Sequence, residues 1–431
     1  MSPELISILV LAVVFVIATT RSVNMGALAF AAAFGVGELV ADLDADGIFA
    51  GFPGDLFVVL VGVTYLFAIA RANGTTDWLV HASIRLVRGR VALIPWVMFF
   101  ITGALTAIGA VSPAAVAIVA PIALSFAARY DISPLLMGAM VVHGAQGGGF
   151  SPISIYGTIV NGIVERENLP GNEVALFLTS LIANLVIASV VFVLFGGLKL
   201  WRRPTGDTSD TADPGTDGSE AGGSETDPAL TPALTPARTA TLVALVALVV
   251  AVLAFDLDAG LTAVTLAALL SAVWPDDSRK AVTQIAWSTV LLICGVLTYV
   301  GVLDEMGTIT WAGEGVGDIG VPLLAALLLC YIGAIVSAFA SSVGIMGALI
   351  PLAVPFLAQG EIGAVGMIAA LAVSATVVDV SPFSTNGALV LAAAPDVDRE
   401  RFFRQLMIYG GIVVAVVPAA VWLVLVVPGF G

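Results

Sequence analysis

Residues 147–157 read Gly-Gly-Gly-Phe-Ser-Pro-Ile-Ser-Ile-Tyr-Gly, inside a stretch, 132–164, that is otherwise apolar enough to cross a bilayer. Three glycines and a serine-proline step are weak helix formers. The proline lacks a backbone donor and clashes with the preceding turn, so the spacing predicts a helix that comes apart here. A break at mid-membrane leaves carbonyl oxygens free for a cation. The half-helix beyond it turns NH groups and about half a positive charge toward an anion.

The surroundings of the break are membrane in character. Of 431 residues, 59% are hydrophobic and 11% charged, and apolar runs of helical length recur along the chain, which soluble domains do not show. Spans are expected near 4–20, 25–40, 54–71, 132–164, 174–200, 240–256, 260–274, 285–303, 362–394 and 402–427. The first run lacks a basic leader and a cleavage site, so it reads as a span. Cys294 and Cys330 lie in apolar runs and read as packing residues.

The net charge of −15 is concentrated: Asp207, Asp210, Asp213, Asp217, Glu220, Glu225 and Asp227 all fall between Pro204 and Pro236. That segment is rich in Gly, Ser, Thr and Pro and reads as a disordered acidic linker, 204–237. It divides the chain into halves, 1–203 and 238–431.

The halves match each other. Gly62, Val63, Gly74, Thr75 and Trp78 recur 233 residues later. Ser112, Pro121, Phe126, Met137, Ala145, Ser151, Pro152, Ser154 and Gly157 recur 230 residues later as Ser342, Pro351, Phe356, Met367, Ala375, Ser381, Pro382, Ser384 and Gly387. Chance in an Ala/Gly/Val-rich chain does not hold one offset for Pro, Ser, Phe and Met. Each half carries five spans, an odd number, so the second copy is expected upside down in the bilayer. Basic residues agree: fifteen of the sixteen Lys and Arg fall on one face and only Arg166 on the other. Both termini are then expected outside and the linker in the cytoplasm.

Two apolar stretches, 91–127 and 321–357, are too long for one span. Their turns, Ala110-Val111-Ser112-Pro113 and Ala340-Ser341-Ser342-Val343, carry small residues and no charge. They read as re-entrant hairpins whose tips stop inside the protein. The expected fold is therefore an all-α polytopic membrane protein of about ten transmembrane helices plus two hairpins, in two inverted repeats, with broken helices at 132–164 and 362–394.

Two breaks and two tips related by inversion meet at one cavity. The residues expected to face a solute are Ser112, Pro113, Ser151, Pro152, Ser154, Ser341, Ser342, Ser381, Pro382, Ser384, Thr385 and Asn386. Gly147, Gly148, Gly149, Thr376 and Asp379 are the candidates for a coupling cation, sodium or a proton. Asp379 is the acid well inside its span, where a carboxylate is costly and usually functional; its structural alternative is to cap freed NH groups. His143 is either a proton relay or a neutral, hydrogen-bonded core residue, and Arg71 reads as an end-of-span anchor. No basic side chain lies deep in the spans, so an anion would rely on helix ends, hydroxyls and a co-bound cation. Moving a dianion inward against about 100 mV costs roughly 4.6 kcal/mol, which two monovalent cations cancel and a third exceeds.

An intramembrane hydrolase would need an activated nucleophile with its base. The two histidines, His81 and His143, and the absence of a deep lysine make that a poor fit. No cofactor beyond the coupling ion and no nucleic-acid partner is expected.

The same residues carry a family resemblance. Gly51-Phe-Pro-Gly-Asp-Leu-Phe57, Asn73-Gly-Thr-Thr-Asp-Trp78, Gly149-Phe-Ser-Pro-Ile-Ser154 with Asn161, and Ser381-Pro-Phe-Ser-Thr-Asn-Gly387 resemble the ion-transporter superfamily of divalent anion:sodium symporters, citrate carriers and arsenite permeases. Most of all they resemble the MatC-type malonate/dicarboxylate carriers. The resemblance implies a secondary transporter of a small di- or tricarboxylate in a prokaryotic plasma membrane, a homodimer in which a transport domain moves against a scaffold like an elevator. Arsenite or cation/proton exchange on the same scaffold is the alternative; a passive channel or a non-transporting receptor stands outside that class. The symporters' tips carry Ser-Asn-Thr, whereas here Ser112 is followed by Pro113-Ala114 and Ser342 by Val343-Gly344.

Overall fold

The computed structural model describes residues 2–21, 23–84, 90–201, 233–255, 257–309, 311, 322–338, 342–358, 362–394 and 397–430. Most of the linker expected at 204–237 and Ser341 at the second tip lie outside these residues. Among the described residues every regular element is helical. In chain order they are α1 Pro3–Arg21, α2 Met25–Leu39, α3 Ala45–Ala50, α4 Gly54–Ala72, α5 Thr75–Ile84, α6 Ile94–Ala107, α7 Ser112–Arg129, α8 Pro134–Gly148, α9 Ile155–Arg166, α10 Glu173–Leu194 and α11 Gly197–Trp201. Beyond the linker come α12 Pro236–Phe255, α13 Ala259–Val273, α14 Pro275–Val282, α15 Trp287–Glu305, α16 Pro322–Ser337, α17 Ser342–Ala358, α18 Ala364–Thr376, α19 Thr385–Ala393 and α20 Arg399–Val421, the last running on through a π-turn to Val426.

Among the described residues six segments are long and apolar enough to cross a membrane: Gly54–Ala72, Ser112–Arg129, Glu173–Leu194, Trp287–Glu305, Ala364–Ala393 and Arg399–Val426. Six shorter helices are also apolar. Large apolar side chains stand exposed in rows, Leu9, Val13 and Val16 on α1, Ile182, Val186 and Val190 on α10, Ile408, Ile412 and Val416 on α20. Contiguous apolar surface of this kind is what lipid covers. The chain is a multi-pass membrane protein.

Small residues set the helix crossings. A Cβ on Gly62 of α4 would sit 2.6 Å from the Gly260 carbonyl oxygen of α13, and one on Gly295 of α15 would sit 2.0 Å from the Gly26 carbonyl oxygen of α2. Each half thus lends a helix to the other, and the crossing glycines Gly62 and Gly295 are one of the pairs repeating at 233. Without a hydrophobic drive between helices in lipid, such backbone-to-backbone contact is the main source of cohesion.

Candidate functional site

The site is built from two interruptions and the two helix pairs that point at them. α8 stays helical through Gly148, and the chain turns from Gly149 to Ser154 before α9 starts. The unwinding therefore begins later than the glycine run suggested. The reason is packing: Cβ atoms on Gly144 and Gly148 would fall 2.2 Å from the Phe99 carbonyl oxygen and 1.9 Å from that of Gly103. These glycines let α8 lie directly on α6, and Gly147 packs on Asn184 and Leu181 of α10. In the second half α18 ends at Thr376, one 3-10 turn spans Val377–Val380, and α19 starts at Thr385.

The two turns share one set of hydrogen bonds. Ser154 Oγ donates to the Ser151 carbonyl at 2.7 Å and to the Gly149 carbonyl at 2.5 Å, while accepting from Gly157 N at 3.2 Å. Ser384 Oγ donates to the Ser381 carbonyl at 2.7 Å and the Asp379 carbonyl at 2.5 Å, and accepts from Gly387 N at 3.3 Å. Each serine caps the half-helix after it. Gly157 and Gly387 have no room for a side chain, since a Cβ would lie 2.0 Å from the Ser151 carbonyl oxygen and 1.9 Å from that of Ser381. Ser151 Oγ also donates to the Ala107 carbonyl at the end of α6, tying the first turn to the neighbouring tip. Ser381 Oγ accepts from Phe383 N at 3.3 Å.

The first tip, 108–111, joins α6 to α7, with Gly109 at φ +114°. α16 and α17 flank the second. The halves interlock here: α19 packs on α7, and α9 on α17.

Where these parts meet lies a polar cluster around Asp379. Its Oδ1 accepts from Ser342 Oγ at 2.7 Å; Oδ2 accepts from Gln146 Nε2 at 2.8 Å and Asn386 Nδ2 at 3.4 Å. Asn386 Nδ2 also donates to Ser112 Oγ at 2.9 Å, and Ser337 Oγ to Ser342 Oγ at 2.8 Å. All these side chains are buried. The carboxylate takes its hydrogen bonds from side chains of three other elements, α8, α17 and α19, so it is not a backbone cap. The carbonyl oxygens Gln146 Oε1 and Asn386 Oδ1 are buried without a donor, an expensive condition unless a ligand completes it.

The cluster opens on a cavity of about 730 Å³. Its inner wall includes Val111, Pro113, Tyr156, Ser342, Asp379 and Thr385. Its outer wall comes from helix ends and loops: Ala18, Val23, Asn24, Arg71, Gln284 and Ser288. Of the residues named from sequence, Ser112, Ser342, Asp379 and Asn386 come together, and Pro113 and Thr385 line the space beside them. Ser151, Ser154, Ser381 and Ser384 instead hold the turns, with Pro152 and Pro382 inside those turns. Thr376 back-bonds to the Ala372 carbonyl at 2.9 Å within its own helix.

Sequence reasoning passed over Gln146. A fully buried glutamine directly before a glycine run in a span was the signal available. It also reaches a second network. The Gln146 carbonyl accepts from Ser180 Oγ at 3.1 Å, Asn184 Nδ2 donates to the Ser180 carbonyl at 2.9 Å, and Asn184 Oδ1 faces His143 Nδ1 at 2.9 Å. That arrangement makes His143 Nδ1 the donor, and in the neutral ring Nε2 then accepts from the Tyr409 hydroxyl at 2.6 Å. His143 is thus a hydrogen-bonded core residue tying α8, α10 and α20 together.

At the far end of α9, Arg166 donates to the Gly51 carbonyl at 2.9 Å. Beside it Glu167 is half-buried, and burial together with the nearby Asp304 raises its carboxyl above the ordinary carboxylate value, against a smaller opposite pull from Arg166.

Residues 1–149 match the family model described as the dicarboxylate carrier protein MatC N-terminus. Over those residues the match bears out the resemblance read from the sequence. The matched part contains Ser112 and Gln146 and ends at Gly149, where the first turn begins. No curated protein matches the chain.

Proposed function

We propose that this protein is a secondary transporter that carries a small dicarboxylate across a prokaryotic plasma membrane, coupled to sodium or protons. The observation that carries the reading is the convergence of two like-capped helix interruptions and the helix starts at Ser112 and Ser342 around one buried carboxylate that opens into a solute-sized cavity. The MatC-type match over residues 1–149 supports a carrier rather than an enzyme and supplies the substrate class.

The chemistry follows from the parts. The half-helices α9 and α19 aim their N-terminal ends into the interrupted region, which favours a negative group nearby. Asp379, held only by neutral donors, is an uncompensated charge inside the membrane until a cation or a proton joins it. Gln146 Oε1 and Asn386 Oδ1 are further oxygen ligands for a cation at that carboxylate. Loading the cation first offsets the repulsion between Asp379 and an arriving carboxylate, which makes the two solutes depend on each other. In this reading the halves form an inverted repeat, the hairpins and broken helices move as one body against the remaining spans, and two copies assemble as a homodimer with termini outside and linker inside.

The test is uptake into liposomes by the purified full chain, offered labelled malonate, succinate and citrate under separately imposed sodium and pH gradients. Accumulation of a dicarboxylate driven by one of the gradients is expected. Asp379→Asn should uncouple uptake from that gradient. No accumulation of any of the three, or an unaltered gradient dependence in the variant, would refute the proposal.

A further inference from the structure

Arg71 belongs by sequence to the end of α4, where a cation suits the helix C-terminus and commonly anchors a span at the headgroups. The structure places it elsewhere in function: its side chain lines the 730 Å³ cavity that leads to Asp379. Apart from Asp379 at the inner end, every other described residue of that wall is uncharged. The cavity is a passage with one positive charge at its outer wall and one negative charge at its inner wall.

Arg71 is half-buried as a residue, and its guanidinium is aimed by Gln284. Arg71 Nε donates to Gln284 Oε1 at 3.1 Å and one Nη to the Gln284 carbonyl at 3.3 Å. These bonds use two of five N–H donors. Among the described residues no carboxylate is within ion-pairing distance of it. The remaining donors form a planar fork of the kind that accepts a carboxylate through two parallel bonds. Asn24, whose side chain caps α2 and donates to the Ser288 carbonyl at 3.0 Å, fixes the neighbouring wall.

The geometry points to Arg71 as an entry-site residue that binds one carboxylate of a small dianion at the cavity mouth before the solute passes to the Asp379 cluster. This rests on the transport reading above. It answers a difficulty in that reading: a dianion approaching a buried carboxylate along an otherwise uncharged passage has no net charge to draw it in unless a cation stands at the entrance. Arg21, Arg279 and Lys280 lie on the same expected membrane face but do not line the cavity, so they add only a diffuse, salt-screened field. Among the described residues of the wall, Arg71 is the one cation, and it joins that charge to directed hydrogen bonds.

The test compares the full chain with Arg71→Gln, Arg71→Lys and Arg21→Gln in the same liposome assay, with the linker face turned outward so that Arg71 meets the added solute, using labelled malonate and succinate at low and high ionic strength. Arg71→Gln is expected to raise KM for both by roughly tenfold or more, with a smaller change in kcat, the size set by loss of a charge-assisted hydrogen bond. Its KM should also depend less on salt. Arg71→Lys keeps the charge without the fork and should give a rise of about threefold, while Arg21→Gln should stay near wild type. Equal shifts in Arg71→Gln and Arg21→Gln, or an unchanged KM in Arg71→Gln, would overturn the assignment. If Arg71→Gln does not fold, an unchanged KM in Arg71→Lys does the same. If the wild-type chain accumulates neither dicarboxylate, the transport reading fails and this assignment falls with it; wild-type uptake with indifferent variants removes the entry site alone.

Discussion

Replacing Gly157 or Gly387 by alanine probes the interruptions at their tightest point. The added carbon would lie 2.0 Å from the Ser151 carbonyl oxygen in one case and 1.9 Å from the Ser381 carbonyl oxygen in the other, and separations under 3.0 Å are not tolerated. Each carbonyl must therefore retreat by about 1 Å. Neither can do so freely. The Ser151 carbonyl accepts from Ser154 N at 2.9 Å and Ser154 Oγ at 2.7 Å, and the Ser381 carbonyl from Ser384 N at 3.0 Å and Ser384 Oγ at 2.7 Å. Losing two bonds at about 1 kcal/mol each and adding about 1–3 kcal/mol of overpacking gives a cost of roughly 3–5 kcal/mol per site. Both variants should melt several degrees lower in detergent and lose more than about nine-tenths of dicarboxylate uptake, since the half-helix N-terminus is displaced with the turn. Gly35→Ala and Gly411→Ala, where the new carbon meets open space, are the controls; a helical glycine there should gain about 0.5–1 kcal/mol on replacement. Wild-type melting and uptake in both Gly157→Ala and Gly387→Ala would refute the reasoning.

Two further outcomes are expected. Tyr409→Phe removes the donor to His143 Nε2 and leaves a buried acceptor unsatisfied, which should cost about 1–3 kcal/mol, read as a lower melting midpoint with the far-ultraviolet helical signal intact. Glu167 carries a raised carboxyl, so the folded chain holds its proton more tightly than the unfolded chain. Its contribution is therefore lost as pH rises from the ordinary value of 4.5 through the raised one. Glu167→Gln should then melt higher than wild type at neutral pH, the gap closing below that ordinary value, as a melting series across pH will show.

Much of this protein was legible along the chain because membrane spans and helix stops are local properties. Apolar run length placed the helices to within a few residues. The Ser-Pro steps at Ser151 and Ser381 and the matching glycines at Gly157 and Gly387 mark positions where local backbone chemistry forbids a continuous rod. The acid at Asp379 announced itself by its surroundings, since few carboxylates lie inside a span without a task.

Other assignments turned on what faces a residue across the fold. The glycine run before Phe150 looked like the seat of unwinding, but Gly144 and Gly148 meet the backbone of α6, and that contact keeps α8 helical to Gly148. Gln146 gave no pattern of its own; its importance comes from Asp379, 233 residues away and 2.8 Å distant. Arg71 read as an anchor because a helix end is a local fact, while the cavity it lines is made by loops and helix ends far off in sequence. Propensity and hydropathy act over a turn or a span and can be read from neighbours in the chain. A buried hydrogen bond or a charged wall exists only when distant segments meet, so the close-packed fold decided those.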